Sequence, residues 1–312
     1  MPDPLRIATR KSPLALWQAE DVQHRLSLVN VDSTLVRMST RGDEIIDKPL
    51  AKIGGKGLFI KELQRGMLEG RADLAVHSMK DVPAEFPEGL HLSVILPREN
   101  PTDAFVSNHY QSLKDLPRGA RVGTCSLRRQ SQIREKYPAL ELLDLRGNVN
   151  TRLKKLDDGE FDAIILASAG LIRLEMQDRI KSEITIEEIL PACAQGAIGV
   201  ECLSDDPITN ESLKSLHDTD TASRVYCERS LNARLGGSCQ TPIAAYAVLK
   251  QDQLLLKAMI AMPDGSTVLR AEGEDHRDNG VELGNRVAEM LIADGADKII
   301  SHLADLRHDA ET

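Results

Sequence analysis

The sequence of 312 residues is poor in aromatic side chains, which make up 3% of it, and its net charge is −9. A nucleic-acid-binding protein needs aromatic platforms for base stacking and a broad basic face, so this class is excluded. No apolar run approaches the ~18 residues of a membrane-spanning helix. No tract of low complexity occurs, and 41% of the residues are hydrophobic. We therefore expect a globular protein without a membrane partner.

The cysteines are few, and none belongs to a Cys-x-x-Cys pair. Their odd number and wide spacing argue against a disulfide framework and against a structural zinc site. The eight histidines show no His-Glu-x-x-His spacing, so no metal centre is expected. The first residues lack the basic patch and apolar run of a signal peptide. We expect a cytoplasmic protein with reduced thiols at positions 125, 193, 202, 227 and 239.

Basic residues are concentrated in one stretch of this acidic chain. Residues 121–156 contain nine Lys or Arg against three acids, so they carry +6 in a chain of −9. Such a region is typical of a site for a small polyanion, because repulsion elsewhere keeps non-specific anions away. A solvated helix face would give the same count, so charge alone leaves both interpretations open.

Strand-like apolar runs alternate with helical patterns over the first two thirds of the chain. This alternation predicts an α/β protein with largely parallel sheets. Each run ends in hydroxyl, basic or acidic residues, at the carboxyl ends where such sheets bind ligands. Ser12 is a good N-cap, and Pro13 suits the first position of the helix after the first run. We predict two α/β domains that face each other across a cleft. The runs are residues 5–9, 34–38, 72–76, 121–122, 140–145 and 163–167.

The C-terminal third shows a different pattern. Residues 218–235 predict a helix, and the Gly-Gly-Ser-Cys loop at 236–239 cannot continue it. Strands are predicted at 243–248, 254–261 and 267–270, followed by a final helix at 281–293. These elements form a small α+β domain. The predicted domains are residues 1–96 with 197–215, residues 97–196, and residues 216–312.

Short motifs suggest chemistry at the strand ends. The glycine loop around Lys56 does not fit a phosphate-binding loop, because neither Ser nor Thr follows the lysine. Lys80 and Asp81 can bind an anion and a cationic centre respectively, although such neighbours are also common as surface ion pairs. Arg128 and Arg129 open a predicted helix, where the dipole disfavours cations unless an anion is bound. We expect them to bind an anion, and their replacement by Leu to leave thermal stability nearly unchanged.

Cys239 differs from the other cysteines because it lies in a glycine-containing loop. Cys193, Cys202 and Cys227 lie among apolar or helical residues. A loop thiol near basic groups can ionise and act as a nucleophile. Most lone loop cysteines have no such role, so the position alone does not decide.

Seven motifs in one order over about 240 residues resemble the porphobilinogen deaminases, also called hydroxymethylbilane synthases. Their two α/β domains are periplasmic-binding-protein-like, and a small α+β domain follows. Three positions depart from the family's usual residues, namely Cys125, Asn150 and Ser238, and none removes a charged group. The motifs are Ile7-Ala-Thr-Arg-Lys-Ser-Pro-Leu-Ala-Leu16, Thr40-Arg-Gly-Asp43, Gly54-Gly-Lys-Gly-Leu-Phe59, His77-Ser-Met-Lys-Asp-Val-Pro83, Gly123-Thr-Cys-Ser-Leu-Arg-Arg-Gln130, Leu145-Arg-Gly-Asn-Val149 and the loop around Cys239.

The resemblance implies a dipyrromethane cofactor attached to Cys239 by a thioether. Four porphobilinogen units are added in turn with loss of ammonia, and water releases the linear tetrapyrrole. Each ring carries an acetate and a propionate, for which guanidinium groups are well suited. The residues implied to bind the cofactor are Ser78, Lys80, Asp81, Thr124, Ser126, Arg128, Arg129, Arg146 and Gly147. Those implied to bind substrate are Arg10, Ser12, Arg146, Arg152, Arg173 and Gln195. The loop implied to cover the cleft contains Lys52 and Lys56.

The resemblance also implies that Asp81 is the catalytic carboxylate. Loss of ammonia leaves an electrophilic methylene pyrrolenine, and its attack by a pyrrole carbon passes through cationic species. A carboxylate facing the pyrrole nitrogens can stabilise that charge and shuttle protons. Porphobilinogen is the expected partner of a monomeric enzyme.

Two other functions are compatible with parts of the sequence. A two-domain anion-binding module, like a bacterial solute-binding protein, would share the cleft and the basic strand ends. It would have no third domain and no role for Cys239 or Asp81, and the missing signal-peptide pattern counts against it. A phosphate-binding transferase is disfavoured by the loop around Lys56.

Overall fold

The computed structural model describes residues 3–39, 60–238 and 241–311, with side chains up to residue 305. These residues form two compact units. The first comprises residues 3–39, 60–99 and 197–222, and the second comprises the remainder. In the described ranges, no helix is both long and apolar enough to cross a membrane.

The first unit contains a five-stranded sheet. Its strands in spatial order are β2 (Ser33–Met38), β1 (Leu5–Arg10), β3 (Leu74–Ser78), β10 (Ile198–Leu203) and β4 (Leu90–Ile95). Strand β1 runs parallel to β2 and β3, whereas β10 runs antiparallel to β3 and β4. The helices of this unit are α1 (Pro13–Leu28), α2 (Lys61–Leu68) and α6 (Pro207–Leu213).

Helix α1 begins as the sequence predicts. The Ser12 hydroxyl accepts a hydrogen bond from the backbone of Ala15, and Pro13 occupies the first turn. Ala19, Val22 and Leu26 recur at helical spacing and are fully buried in one face of the sheet. The apolar stripe therefore fixes which side of α1 packs on the strands.

The second unit contains a sheet of the same design. Its strands in spatial order are β7 (Glu141–Leu143), β6 (Arg121–Gly123), β8 (Ala163–Ala167), β5 (Asp103–Val106) and β9 (Ser182–Ile184). Strand β6 runs parallel to β7 and β8, whereas β5 runs antiparallel to β8 and β9. The helices are α3 (Leu127–Lys136), α4 (Val149–Asp157) and α5 (Ser168–Arg173).

The prediction of largely parallel sheets is only half correct. In each sheet one strand, β5 or β10, inserts in the antiparallel sense between two others. Strand β10 follows residues of the second sheet along the chain, and β5 follows residues of the first. The chain does not reach either strand through a helix packed on that strand's own sheet. The rule that such a helical connection joins parallel strands therefore does not apply to β5 or β10.

A third sheet in the second unit is fully antiparallel. Its strands are β11 (Ile243–Lys250), β12 (Gln253–Ala261) and β13 (Val268–His276), and its helices are α7 (Thr219–Arg234), α8 (Gly280–Ala293) and α9 (Ala296–Glu311). Leu231, Leu256, Val287 and Leu291 are central to its core. The helix predicted over 218–235 is confirmed as α7. The prediction that residues 281–293 form the final helix is wrong, because α9 follows.

The turn between β12 and β13 packs directly on α3. A Cβ on Gly265 would lie 2.7 Å from the Ser131 carbonyl oxygen and 2.9 Å from the Glu135 nitrogen. Beside it, Arg134 donates to the Pro263 carbonyl at 2.5 Å. The hairpin thus supports the helix whose first turn carries Arg128 and Arg129.

Replacing Gly265 by Ala is expected to destabilise the protein. Gly265 has a φ of +75°, so Ala adds a conformational cost of about 1 kcal/mol to the clash with α3. Gly159→Ala is the matched control, since Gly159 has a φ of +78° and open space around it. Urea unfolding should show a larger loss for Gly265→Ala. Equal losses would mean that the contact with α3 contributes nothing.

Candidate active site

Lys80 and Asp81 follow the middle strand of the first sheet. Strand β3 ends at Ser78, and residues Met79–Asp81 form a single 3₁₀ turn. The Met79 side chain is buried and its backbone nitrogen donates to the Ala197 carbonyl at 3.0 Å. With Met79 anchored inward, Lys80 and Asp81 are both exposed.

Predicted polar residues from β1 lie at the same edge of this sheet. Arg10 ends β1, and Ser12 caps α1 immediately after it. Because β1 and β3 are parallel neighbours, their carboxyl ends share one edge. The Ser78 hydroxyl accepts a 2.8 Å hydrogen bond from Gln18 of α1. The structure therefore brings together Arg10, Ser12, Ser78, Lys80 and Asp81.

A buried polar cluster supports β3 just before this edge. His77 Nε2 lies 2.9 Å from Glu201 Oε2 of β10, and Gln64 donates to Glu201 Oε1 at 2.8 Å. His77 is thus packed and hydrogen-bonded, and the sequence patterns indicated neither its partner Glu201 nor the Gln64 that binds Glu201 in turn. Within the described ranges, no three His, Cys, Asp or Glu side chains form a group that could hold a metal ion.

In the second sheet, Thr124 and Ser126 follow β6. The Thr124 nitrogen donates to the Leu143 carbonyl of β7 at 2.9 Å. The Thr124 hydroxyl accepts a 3.3 Å hydrogen bond from the Ser126 nitrogen. The Thr124 carbonyl accepts a 2.7 Å hydrogen bond from the Gln130 side chain. These bonds order the loop that leads into α3.

Arg146, Gly147 and Arg152 follow β7. Gly147 has a φ of +107°, and a Cβ there would lie 2.7 Å from Thr151 Cγ2. The Gly147 carbonyl accepts a 2.7 Å hydrogen bond from Arg152 Nε. Glycine is therefore required for the turn that separates Arg146 from α4.

Arg173 and Gln195 are held more deeply. Arg173, in α5 after β8, is buried and donates to the Gly196 carbonyl at 2.7 Å. Gln195 is also buried, and its amide donates to Asp103 Oδ1 at 2.9 Å. Since β6, β7 and β8 are parallel neighbours, the groups after these strands lie along one edge.

Arg128 and Arg129 are bound to an acid that the sequence analysis missed, Asp103. Arg128 donates to Asp103 Oδ2 at 2.8 Å, and Arg129 donates to Oδ1 at 2.6 Å. All three side chains are buried: the arginines are 4% and 5% exposed and Asp103 is 0%. Burial raises the pKa of Asp103, but the two guanidinium groups outweigh it and hold the pKa well below its usual range. The carboxyl group is therefore ionised.

The antiparallel direction of β5 places Asp103 at this site. Asp103 is the first residue of β5 and pairs with Ala167, the last residue of β8. The amino end of β5 thus lies at the edge where β6, β7 and β8 have their carboxyl ends. An acid that opens an otherwise apolar strand, Asp103-Ala-Phe-Val106, is the signal that could have revealed this partner.

The ion pairs contradict the premise that Arg128 and Arg129 have no structural role. Replacing Arg129 by Leu removes the hydrogen bonds that Asp103 Oδ1 and the Ile165 carbonyl receive from it, and the loss of a hydrogen bond to a charged group costs about 1.5–3 kcal/mol. We expect urea unfolding to show a large loss for Arg129→Leu. Lys154→Leu is the control, because Lys154 forms an exposed pair with Asp158 and should change little. Similar small losses in both would show that the cluster does not stabilise the fold.

The thiols also separate into classes. Burial raises the pKa of Cys193 and Cys227 to about 12 and the pKa of Cys202 to about 11. These three thiols are therefore poor nucleophiles near neutral pH. Cys125, in the loop after β6, is half-buried, and so is Cys193, whose raised pKa places it among the poor nucleophiles. Cys239, Lys52 and Lys56 lie outside the described residues.

Alkylation of the native protein should reproduce these classes. With iodoacetamide at pH 8, Cys125 is expected to react before Cys193, Cys202 and Cys227, which should react fully only in urea. Peptide mass mapping measures the modified fraction at each position. Early labelling of Cys193 in the folded protein would contradict the effect of burial.

Comparison with protein families decides the assignment. The model described as "Porphobilinogen deaminase, dipyromethane cofactor binding domain" matches residues 5–211. The model described as "Porphobilinogen deaminase, C-terminal domain" matches residues 222–293. The chain belongs to the porphobilinogen deaminase family. It is a transferase with hydroxymethylbilane synthase function, which joins four porphobilinogen molecules to a dipyrromethane cofactor and releases the linear tetrapyrrole.

Solved structures similar to this chain include binding proteins. A nutrient-binding protein from Burkholderia cenocepacia bound to methionine has a TM-score of 0.43 at 10% identity, covering 67% of this chain and 89% of its own. A periplasmic substrate-binding protein of an ABC transporter from Coxiella burnetii has a TM-score of 0.42 at 12% identity, with 70% and 94% covered. The periplasmic VFT2 domain of BvgS from Bordetella pertussis has a TM-score of 0.40 at 17% identity, and the match covers 70% of this chain and 91% of that domain's chain. Similarity at this level says nothing about a ligand of the deaminase.

The donor groups of the deaminase fit a cofactor that carries several carboxylates. Guanidinium and hydroxyl groups are concentrated at the carboxyl ends of β6, β7 and β8. Arg129 Nε is buried and has no hydrogen-bond partner among the described residues. An unsatisfied buried donor costs about 1–3 kcal/mol, so a carboxylate or water is needed there.

Proposed function

We propose that the residues at the strand ends divide the deaminase reaction between them, with Cys239 holding the cofactor and Asp81 as the catalytic carboxylate. The observation that carries this proposal is the alignment of polar side chains at the carboxyl ends of adjacent parallel strands. Ligands of such sheets bind outside these ends. Each unit supplies its own set, one around Asp81 and one around Arg129.

The second unit would bind the acetate and propionate groups. Planar guanidinium groups can each hold a carboxylate through two hydrogen bonds. The hydroxyls of Thr124 and Ser126 and the open turn at Gly147 lie at the same edge. Bound there, the cofactor supplies the pyrrole carbon to which the first porphobilinogen is joined. The arginines proposed for this binding are Arg128, Arg129, Arg146, Arg152 and Arg173.

Asp81 would act on the substrate's positive charge. Its exposed carboxylate follows the buried Met79 anchor, and β3 behind it is fixed by the bond between His77 and Glu201. A negative charge held in place stabilises a developing cation without reorganisation at the moment of reaction. Lys80, beside it, would bind a carboxylate rather than react.

Cys239 would be the attachment point. The sequence offers five thiols, and burial makes three of the four described ones poor nucleophiles. Cys125 is the remaining alternative among the described residues. The proposal for Cys239 is supported by its place in the family motif and by its glycine-containing loop.

We also propose a cytoplasmic monomer. Unpaired thiols suit a reducing compartment, and the family resemblance favours a single chain. Light scattering coupled to size-exclusion chromatography measures the mass in solution. A mass near twice 34.3 kDa would overturn the monomer.

Mass spectrometry of the purified protein tests the assignment directly. A covalent dipyrrole adds its mass to the intact chain, and peptide mapping locates it on Cys239 or Cys125. An anion-binding module without this chemistry would show the bare chain. Finding the bare chain after incubation with porphobilinogen would overturn the proposed attachment.

A further inference from the structure

Two buried cations share one buried anion at the edge of the second sheet. Asp103 accepts hydrogen bonds from Arg128 at 2.8 and 3.2 Å, from Arg129 at 2.6 Å and from Gln195 at 2.9 Å. Four donors surround its two oxygens, so its carboxylate is fully hydrogen-bonded. Asp103 is the acid that the described residues place against both guanidinium groups.

The charges of this cluster do not balance. Two guanidinium groups and one carboxylate leave one positive charge in a buried position. Carbonyl oxygens of Leu190 and Ile165 accept bonds from Arg128 and Arg129, but they carry no net charge. Arg129 Nε remains without a partner in the described part of the chain. A buried charge without a counter-ion is strongly unfavourable, so the site is built for one more anion.

We propose that Asp103 is an internal counter-ion that allows Arg128 and Arg129 to be buried in the cofactor-free chain, while one carboxylate of the cofactor balances the remaining charge. The inference rests on the proposed function, in which both arginines bind the cofactor. Asp103 is a positioning residue, because it acts through the arginines. The same cluster therefore supports two events, which are the folding of the cofactor-free chain and the later binding of the cofactor.

The proposal predicts how Asp103→Asn changes the response to the cofactor. Without the aspartate charge, the cofactor-free protein buries two uncompensated cations, so its melting temperature should fall strongly. Attachment of the cofactor should restore part of that loss. The upward shift in melting temperature on loading is therefore expected to be larger in Asp103→Asn than in the wild type.

Asp162→Asn is the matched control. Asp162 accepts a 2.7 Å hydrogen bond from the Arg121 backbone and pairs with the Arg121 side chain at 3.3 Å. This pair lies at the opposite, amino end of β6 and β8. Loss of this pair should lower the melting temperature by the same amount with and without cofactor. The rise in melting temperature on cofactor loading should therefore equal that of the wild type.

A second variant covers the case in which Asp103→Asn does not fold. Combining it with Arg128→Met removes one cation as well, which returns the cluster to a single positive charge. The double variant should then melt at a higher temperature than Asp103→Asn alone.

The measurement is thermal unfolding of protein with and without cofactor, with loading verified by intact mass. A loading shift in Asp103→Asn equal to or smaller than that of the wild type would overturn the proposal. A double variant no more stable than Asp103→Asn would do the same. If the wild type never acquires the added mass, the proposed function fails, and the comparison of the two cofactor-free variants still tests the counter-ion.

Discussion

Replacing Cys239 by Ala is expected to give a folded protein with no covalent chromophore and no tetrapyrrole synthesis. The thioether has a single sulfur, so its loss should abolish attachment rather than weaken it. Intact mass after incubation with porphobilinogen measures attachment, and product formation measures turnover. A dipyrrole still attached to Cys239→Ala would show that another thiol carries the cofactor.

Two controls make this result specific to one thiol. Cys193→Ala removes a thiol whose pKa burial raises to about 12, and it should retain the cofactor. Cys125→Ser removes the half-buried thiol in the loop after β6, and it should also retain the cofactor. Loss of attachment in Cys125→Ser with retention in Cys239→Ala would move the assignment to Cys125.

Replacing Asp81 by Asn is expected to slow each condensation step by about 10²–10³, or about 3–4 kcal/mol. Asparagine preserves size and hydrogen bonding but removes the negative charge. Asp81→Glu keeps the charge and displaces it by one methylene group, so it should retain more activity than Asn. The arginines are unchanged in both, and the cofactor should be attached in Asp81→Glu.

Single-turnover addition of porphobilinogen to cofactor-loaded protein measures this effect. The mass of each added ring reports the rate of each step, so slow chemistry is distinguished from slow release. Equal elongation rates in Asp81→Asn and the wild type would make Asp81 a bystander. Equal rates in the Glu and Asn variants would mean that position matters more than charge.

Local rules predicted the elements whose signals are contained in neighbouring residues. Ser12 and Pro13 mark the start of α1, and its apolar spacing marks the buried face. Strands β4, β5, β9 and β10 were not predicted, because their sequence signals are weak or mixed. Strand β10, for example, contains the buried Glu201, which interrupts an apolar run. The exposed charges of Glu272 and Glu274 made the strand predicted at 267–270 shorter than β13, and the charges of α9 hid that helix.

The candidate site was only partly predictable for a physical reason. Asp81, Arg128 and Arg129 could be located from the sequence, because the local spacing of residues shows where a strand ends and where a helix begins. Their partners depend on strand order. Asp103 reaches Arg129 only because β5 runs antiparallel beside β8, and the prediction of largely parallel sheets does not contain that pairing.

The late position of β10 in the chain has a consequence for biosynthesis. Strand β10 lies between β3 and β4 and forms hydrogen bonds with both, yet it begins only at Ile198. A nascent chain that has emerged as far as β9 can pair β1, β2 and β3 but cannot attach β4 to them. Strand β3 then presents an unpaired apolar edge, the kind that pairs with other chains. The first sheet therefore closes only after the strands of the second have been synthesised, and a ribosome that stalls in between leaves a chain prone to aggregate.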